Sequence, residues 1–276
     1  MPIQPILLLA DSQLLFWSNE DGLFLERVRE LLEGETPKAA YLGASNGDLP
    51  EFYDLFVAAM ESIRISDCRM IPSEPSDEDL EYVEQADVIL LAGGDTARGW
   101  QTFEKNGIKQ KVIERYYTGA LLIGISAGAV QLGLNGIRET PERTNGSEDG
   151  SDESRLFETF KLIPLVIDAH QEPDWERLVQ VLPEAGELIQ GLGIPSGGGA
   201  FVHPDMTVEP IRRPLVELSL KDDSVRQSLI FPPDPDQSEE DPSAEAAAST
   251  APKASEDDED EPKALQPIII QDPYDP

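Results

Sequence analysis

Residues 120–133 read ALLIGISAGAVQLG, and residues 87–96 read DVILLAGGDT. Each opens on an uninterrupted run of Leu, Ile and Val, the pattern of a strand buried on both faces, and passes through small residues into a stretch with helical periodicity. Both therefore predict a tight turn from the carboxyl end of a strand into a helix. Outward from this pair the alternation recurs: ILLLA at 6–10, GLFLERVRELLEG at 22–34, AAYLGAS at 39–45 and PEFYDLFVAAMESIR at 50–64. A short strand near 68–71, an acidic helix near 76–85 and a helical stretch at 97–117 continue it. Further on, FKLIPLVIDAH at 160–170 reads as a strand with a polar tip, DWERLVQVL as a helix and ELIQGLGI as a strand. Strands each followed by a helix predict an α/β fold, a doubly wound and mostly parallel sheet with helices on both faces and right-handed crossovers. Residues 198–232 add short antiparallel C-terminal strands in GAFVH, TVEPI, PLVELSL and RQSLIF.

Length and charge divide the chain of 276 residues in two. Residues 233–276 hold eight prolines, 14 acidic and two basic residues, and include the run EDDEDE at 256–261. Such a segment buries too little apolar surface to offset its chain entropy, so a disordered acidic tail is expected after an α/β domain at 1–232. Its end, LQPIIIQDPYDP, breaks that composition and is a candidate contact for a protein partner within 256–276. The remainder still carries 40 acidic against 19 basic residues, within a total formal charge of −33. That balance argues against nucleic acid and against an anionic membrane as partners. Residues 138–155, RETPERTNGSEDGSDESR, lack apolar periodicity and are expected to form a surface excursion. One cysteine, Cys68, leaves no intramolecular disulfide, and two histidines are too few for a histidine-based metal centre, so neither a metal nor a cofactor is expected. The opening MPIQPILLLADSQ reads as a first strand, without the charge and cleavage pattern of a secretory signal, and a cytoplasmic location is the corresponding expectation.

Gly124-Ile125-Ser126-Ala127-Gly128 spells G-x-S-x-G between a strand and a helix. In that context the pattern is a nucleophile elbow, in which the glycines let the neighbouring chains close on a strained turn and the hydroxyl projects from the sheet edge. The GGDT turn at 93–96 emerges from the same edge. Its Gly94 N–H, with that of Ala127, could receive a developing oxyanion, or the segment could simply be a helix cap through Asp95 or Thr96. A serine nucleophile needs a base. His170, at the tip of a strand on that edge, is the better candidate than His203. Cys68, between Asp67 and Arg69 with neither elbow nor adjacent base, reads as a structural thiol.

With GGDT, GISAGAV and DAHQEPDWERL in this order, the chain resembles the dipeptidase E and cyanophycinase family of serine peptidases, whose fold is related to class I glutamine amidotransferase domains. The likeness spans roughly residues 5–220 and includes AAYLGASNGD and GLGIPSGGGAFV. It implies Ser126 as nucleophile, His170 as general base and the N–H groups of Gly94 and Ala127 as the oxyanion hole. It also implies a short peptide substrate with an acidic, aspartate-containing character. The chain departs from the pattern where a glutamate orients the histidine, because Pro195 and Ser196 stand there. Asp168, Glu172, Glu139 and Glu142 are the candidate replacements, and Gln171 stands where the family has an aromatic residue. Two functions follow: a serine exopeptidase or isopeptidase, or a catalytically weakened amidotransferase-like binding module whose tail recruits a partner.

Overall fold

The computed structural model describes residues 2–19, 22–138, 155–170, 174–222 and 224–233. The expected tail, most of the excursion and the candidates Glu139, Glu142 and Glu172, with Gln171, lie outside them. The described residues all fall in one compact unit, Met1–Pro233.

Five apolar runs form parallel strands: β1 (Ile6–Leu9), β2 (Lys38–Leu42), β3 (Asp67–Ile71), β4 (Val88–Leu91) and β5 (Leu121–Ile125). Between and after them lie α1 (Glu26–Leu31), α2 (Pro50–Ser62), α3 (Asp77–Gln85), α4 (Thr96–Lys105), α5 (Ile108–Tyr117) and α6 (Ala127–Leu132). The chain then runs through β6 (Leu165–Ala169), α7 (Glu176–Ala185), β7 (Gln190–Ile194), β8 (Gly199–Val202), β9 (Val208–Ile211), β10 (Leu215–Lys221) and β11 (Ser224–Ile230). The central sheet has the order β9-β8-β1-β5-β4-β2-β3, in which β8 runs antiparallel to both of its neighbours, β1 and β9, and the other strands share one direction. A chain order in which β5 and β4 separate β1 from β2 puts crossovers over both faces.

The strands are apolar on both faces because both are covered. Ile6, Leu8, Ile89, Leu91 and Leu122 pack on one side with Trp100 and Phe103. Leu7, Leu9, Leu90 and Ile123 pack on the other with Phe56 and Met60.

Three expectations are corrected. The helix read over 97–117 is two helices, broken at Asn106-Gly107, where Gly107 takes φ +74° and opens α5. The stretch 22–34 is helical only over Glu26–Leu31, since Gly22–Leu23 pairs with Ser18–Asn19 in a small ribbon. The run 160–170 is a strand only over Leu165–Ala169, and with β7 it belongs to a second sheet of order β6-β7-β10-β11 rather than to the central one. The antiparallel finish is divided accordingly, β8 and β9 closing the first sheet and β10 and β11 the second. Both sheets nevertheless turn their β5 and β6 carboxyl ends to a common cleft, because α6 lies between them and shares its Leu132 with the core that holds Ile167.

Phe103 is wholly buried against Phe160, with ring centroids 5.9 Å apart. Phe103→Ala is expected to lower stability by about 3–5 kcal/mol in equilibrium urea unfolding, from lost transfer and the cavity left behind.

Candidate active site

Ser126 occupies the turn between β5 and α6 with φ 50° and ψ −107°, a conformation costing a non-glycine residue about 1–3 kcal/mol. Its neighbours explain how the turn is held. A Cβ on Gly124 would meet Ala129 Cα at 2.7 Å, and one on Gly128 would collide with the carbonyl oxygen of Leu91 in β4. The Ser126 N–H donates to the Leu9 carbonyl at 2.8 Å, which ties the elbow to the end of β1. The amide of Ala127 has no acceptor among the described backbone hydrogen bonds.

The GGDT turn is a helix cap. Asp95 caps α4 by accepting the Arg98 N–H at 2.9 Å. Gly94, at φ +134°, also has no acceptor among those hydrogen bonds, and a Cβ there would overlap the carbonyl oxygen of Ser45. That oxygen accepts the Asp95 N–H at 2.9 Å and a hydrogen bond from the Arg98 guanidinium. The buried Ser45 hydroxyl receives the Gln131 amide at 3.1 Å, and the same amide donates to Thr96 O at 2.9 Å. Ser45, Arg98 and Gln131 thus fasten the GASNG loop, α4 and α6 together behind Gly94. No sequence signal assigns this role to Ser45, Arg98 or Gln131.

His170 follows β6 with φ 69°, its N–H bonded to Ile194 O at 3.2 Å. It lines the same cavities as Ser126, and His203 lines neither, being paired with Glu209 at 3.1 Å. Among the described residues no hydrogen bond joins the Ser126 hydroxyl to the imidazole. The ring partner is Ser196, whose Oγ lies 3.2 Å from His170 Nδ1. Ser196 stands on a loop fixed from several sides: Arg213 donates to its carbonyl at 2.7 Å, and the next amide, Gly197 N–H, donates to Asp11 Oδ2 at 2.6 Å. A hydroxyl carries no sequence signal of this role, and it was identifiable only as an absence of glutamate.

Asp168, a candidate orienting acid, forms no hydrogen bond with the imidazole among the described residues. Its carboxylate, 1% exposed, is held by the Arg177 guanidinium on both oxygens, with Nε–Oδ2 at 3.2 Å, and by the Ala169 N–H at 2.9 Å. The reason is local: Trp175 is buried on Gly193 of β7, where a Cβ would lie 2.7 Å from its ring, and this seats the first turn of α7 so that Arg177 reaches β6. Among the described residues no three His, Cys, Asp or Glu side chains are grouped to hold a metal ion. No described helix is long and apolar enough to cross a membrane.

Two cavities meet at Ser126, Gly94 and His170. One, of about 310 Å³, runs under α2, and the other, of about 670 Å³, carries Ala127, Arg138, Asp168 and Arg177. A strained serine, a histidine and two unengaged N–H groups at one cleft can support acyl transfer. The family model of peptidase family S51 matches residues 6–206. The chain belongs to that family.

Among S51 relatives, peptidase E of Salmonella arizonae is 30% identical over 128 residues, 43% of this chain and 52% of that protein. The uncharacterized peptidase YgaJ of Bacillus subtilis is 28% identical over 122 residues, 42% of this chain and 51% of that protein. The chain thus spans about half the length of these relatives. In fold, it is similar to a peptidase from an acI-B1 actinobacterium with a TM-score of 0.57 at 16% identity, covering 83% of this chain and 97% of the other. A putative peptidase E protein of Listeria monocytogenes gives 0.52 at 18% identity, covering 76% and 99%.

Two expectations test this description. Arg177→Met leaves Asp168 charged, buried and without its cation, and should cost about 3 kcal/mol of stability in urea titration. The Cys68 thiol is pushed up to about 11 by burial, then by the charges of Asp67 and Glu61. It therefore stays protonated until strongly alkaline pH, so at pH 8 iodoacetamide should alkylate the folded protein about a hundredfold more slowly than the urea-unfolded chain.

Proposed function

We propose that the protein is a serine peptidase that hydrolyses short peptides through an acyl-enzyme on Ser126. The observation that carries this reading is the strained Ser126 in a cleft shared with His170 and with the N–H groups of Gly94 and Ala127, in a chain of family S51. Ser126 Oγ attacks the scissile carbonyl carbon while His170 Nε2 takes its proton. The oxyanion is received by the two N–H groups, whose positions are set in advance and need no reorganisation. The imidazolium then gives the proton to the leaving amine, and water repeats the sequence in reverse order of proton transfer to release the acid.

Ser196 supports the tautomer this requires. In the tautomer protonated at Nδ1, which the mechanism uses, the Ser196 oxygen 3.2 Å away accepts that hydrogen and Nε2 is the base. A neutral hydroxyl fixes the ring but contributes none of the charge stabilisation that a carboxylate gives to an imidazolium, so turnover should be slower than in a carboxylate triad. That same neutrality is what favours the second reading, an amidotransferase-like module that binds rather than cleaves.

Ser126→Ala should reduce kcat for a peptide library by at least about a thousandfold with unchanged unfolding. Ser196→Ala, which removes one neutral hydrogen bond worth about 1 kcal/mol, should lower kcat up to about tenfold at constant KM. Parallel mass-spectrometric assays of both variants check this, and wild-type turnover persisting in Ser126→Ala would remove Ser126 from the reaction.

A further inference from the structure

We propose that the cavity under α2 is a specificity pocket for an apolar side chain flanking the scissile bond, so that the preferred substrates are neutral, hydrophobic peptides rather than acidic ones. This rests on the peptidase reading of Ser126.

The walls are carbon. Leu15, Tyr41, Phe52, Leu55, Phe56 and Ile125 line a space of about 310 Å³ that opens directly onto Ser126 and His170. That volume sits at the small end of the range for ligand pockets, the size of a side chain rather than a cofactor. Two of its polar members, Asp11 and Asn46, are already engaged. Asp11 accepts the N–H groups of Gln13 at 2.9 Å and Gly197 at 2.6 Å, while Asn46 donates to the Tyr41 hydroxyl at 2.8 Å and accepts the Leu49 N–H at 3.2 Å.

Among the described residues no lysine or arginine lines this pocket. Four described arginines have partners elsewhere: Arg98 on the Ser45 carbonyl, Arg177 on Asp168, Arg213 on the Ser196 carbonyl, and Arg212 over the Trp17 ring at 5.9 Å. An aspartate side chain entering here would lose its hydration, find no cation and approach the Asp11 carboxylate. An apolar side chain would instead bury carbon on carbon.

A second observation lies at the rim. Phe52 and Leu55, on the first two turns of α2, are 47% and 42% exposed, leaving apolar surface open to solvent at the mouth of the pocket. Clustered exposure of this kind marks a surface that a ligand covers. The polar cavity beyond Ser126, with Arg138 at its wall, is left for the rest of the peptide and its termini.

The test pairs turnover with binding. Wild type is assayed on tripeptides bearing Leu, Phe, Met, Asp or Glu on each side of the scissile bond, beside Leu55→Arg and, as a second exposed position, Phe52→Asp. Bonds flanked by Leu, Phe or Met should show kcat/KM at least about tenfold above Asp-flanked bonds, and both variants should erase that ratio. Separately, N-acetyl-phenylalaninamide and N-acetyl-aspartic amide are titrated into Ser126→Ala, where the first should bind more tightly and lose its advantage with Leu55→Arg added. Preference of wild type for Asp, or a ratio unmoved by both variants, would overturn the pocket while leaving the peptidase reading intact. Selective binding of the phenylalanine amide without wild-type turnover of any peptide would overturn the peptidase reading, and with it the substrate, while the apolar site remained.

Discussion

The site depends on backbones approaching more closely than any side chain allows. Gly128 lies against the Leu91 carbonyl, Gly124 against the first turn of α6, and Gly94 against the Ser45 carbonyl. Each contact closes one side of the same space: the first draws the elbow to β4, the second folds the helix back on its own strand, and the third brings the donor loop down on GASNG. Between those three close approaches Ser126 holds an unfavourable φ of 50°, sustained by the packing around it. Strain at Ser126 and the close approach of Gly94 to the GASNG loop are thus two results of the same tight packing.

Around that centre the charges are committed. Asp95 caps α4, Asp11 holds the two loops that follow β1 and β7, and Asp168 is neutralised by Arg177. None of these carboxylates is left to orient His170, and a neutral serine occupies the place. These acids hold backbone and helix, while the group beside the imidazole is an uncharged hydroxyl.

Much of the fold was legible because parallel strands covered on both faces are continuous apolar runs, and such runs need no knowledge of partners to be recognised. The elbow was legible for a related reason, since glycine at fixed offsets from a serine reports a steric demand rather than a preference. What could not be read was partnership. The run LIPLVIDAH has the same period whether it joins the first sheet or founds a second, and only tertiary pairing with Gln190–Ile194 decides. The break at Gly107 hides within a stretch of good helix formers, because one left-handed residue is enough to redirect a chain. Ser196 is legible as a departure but not as a contact, because a hydroxyl is compatible with almost any surface position. Asp168 misleads by proximity: it stands two residues before the histidine, yet the Arg177 guanidinium takes its carboxylate, and the strand ends at Ala169 before His170 turns off.

On the proposed peptidase reading, the acidity of the domain and the apolar pocket select in the same direction by different physics. The excess of 40 acidic over 19 basic residues in positions 1–232 acts at long range, where it disfavours the approach of any anionic peptide and weakens beyond a Debye length of about 8 Å in physiological salt. The pocket acts only at contact, through the hydration that a side chain must surrender beside Leu15, Phe52 and Leu55. The first governs how often a peptide arrives and is screened by salt. The second governs how long it stays and is not. An acidic surface alone would leave neutral and cationic peptides equally welcome, so it is the carbon lining beside Ser126 that turns a general repulsion of anions into a choice of side chain.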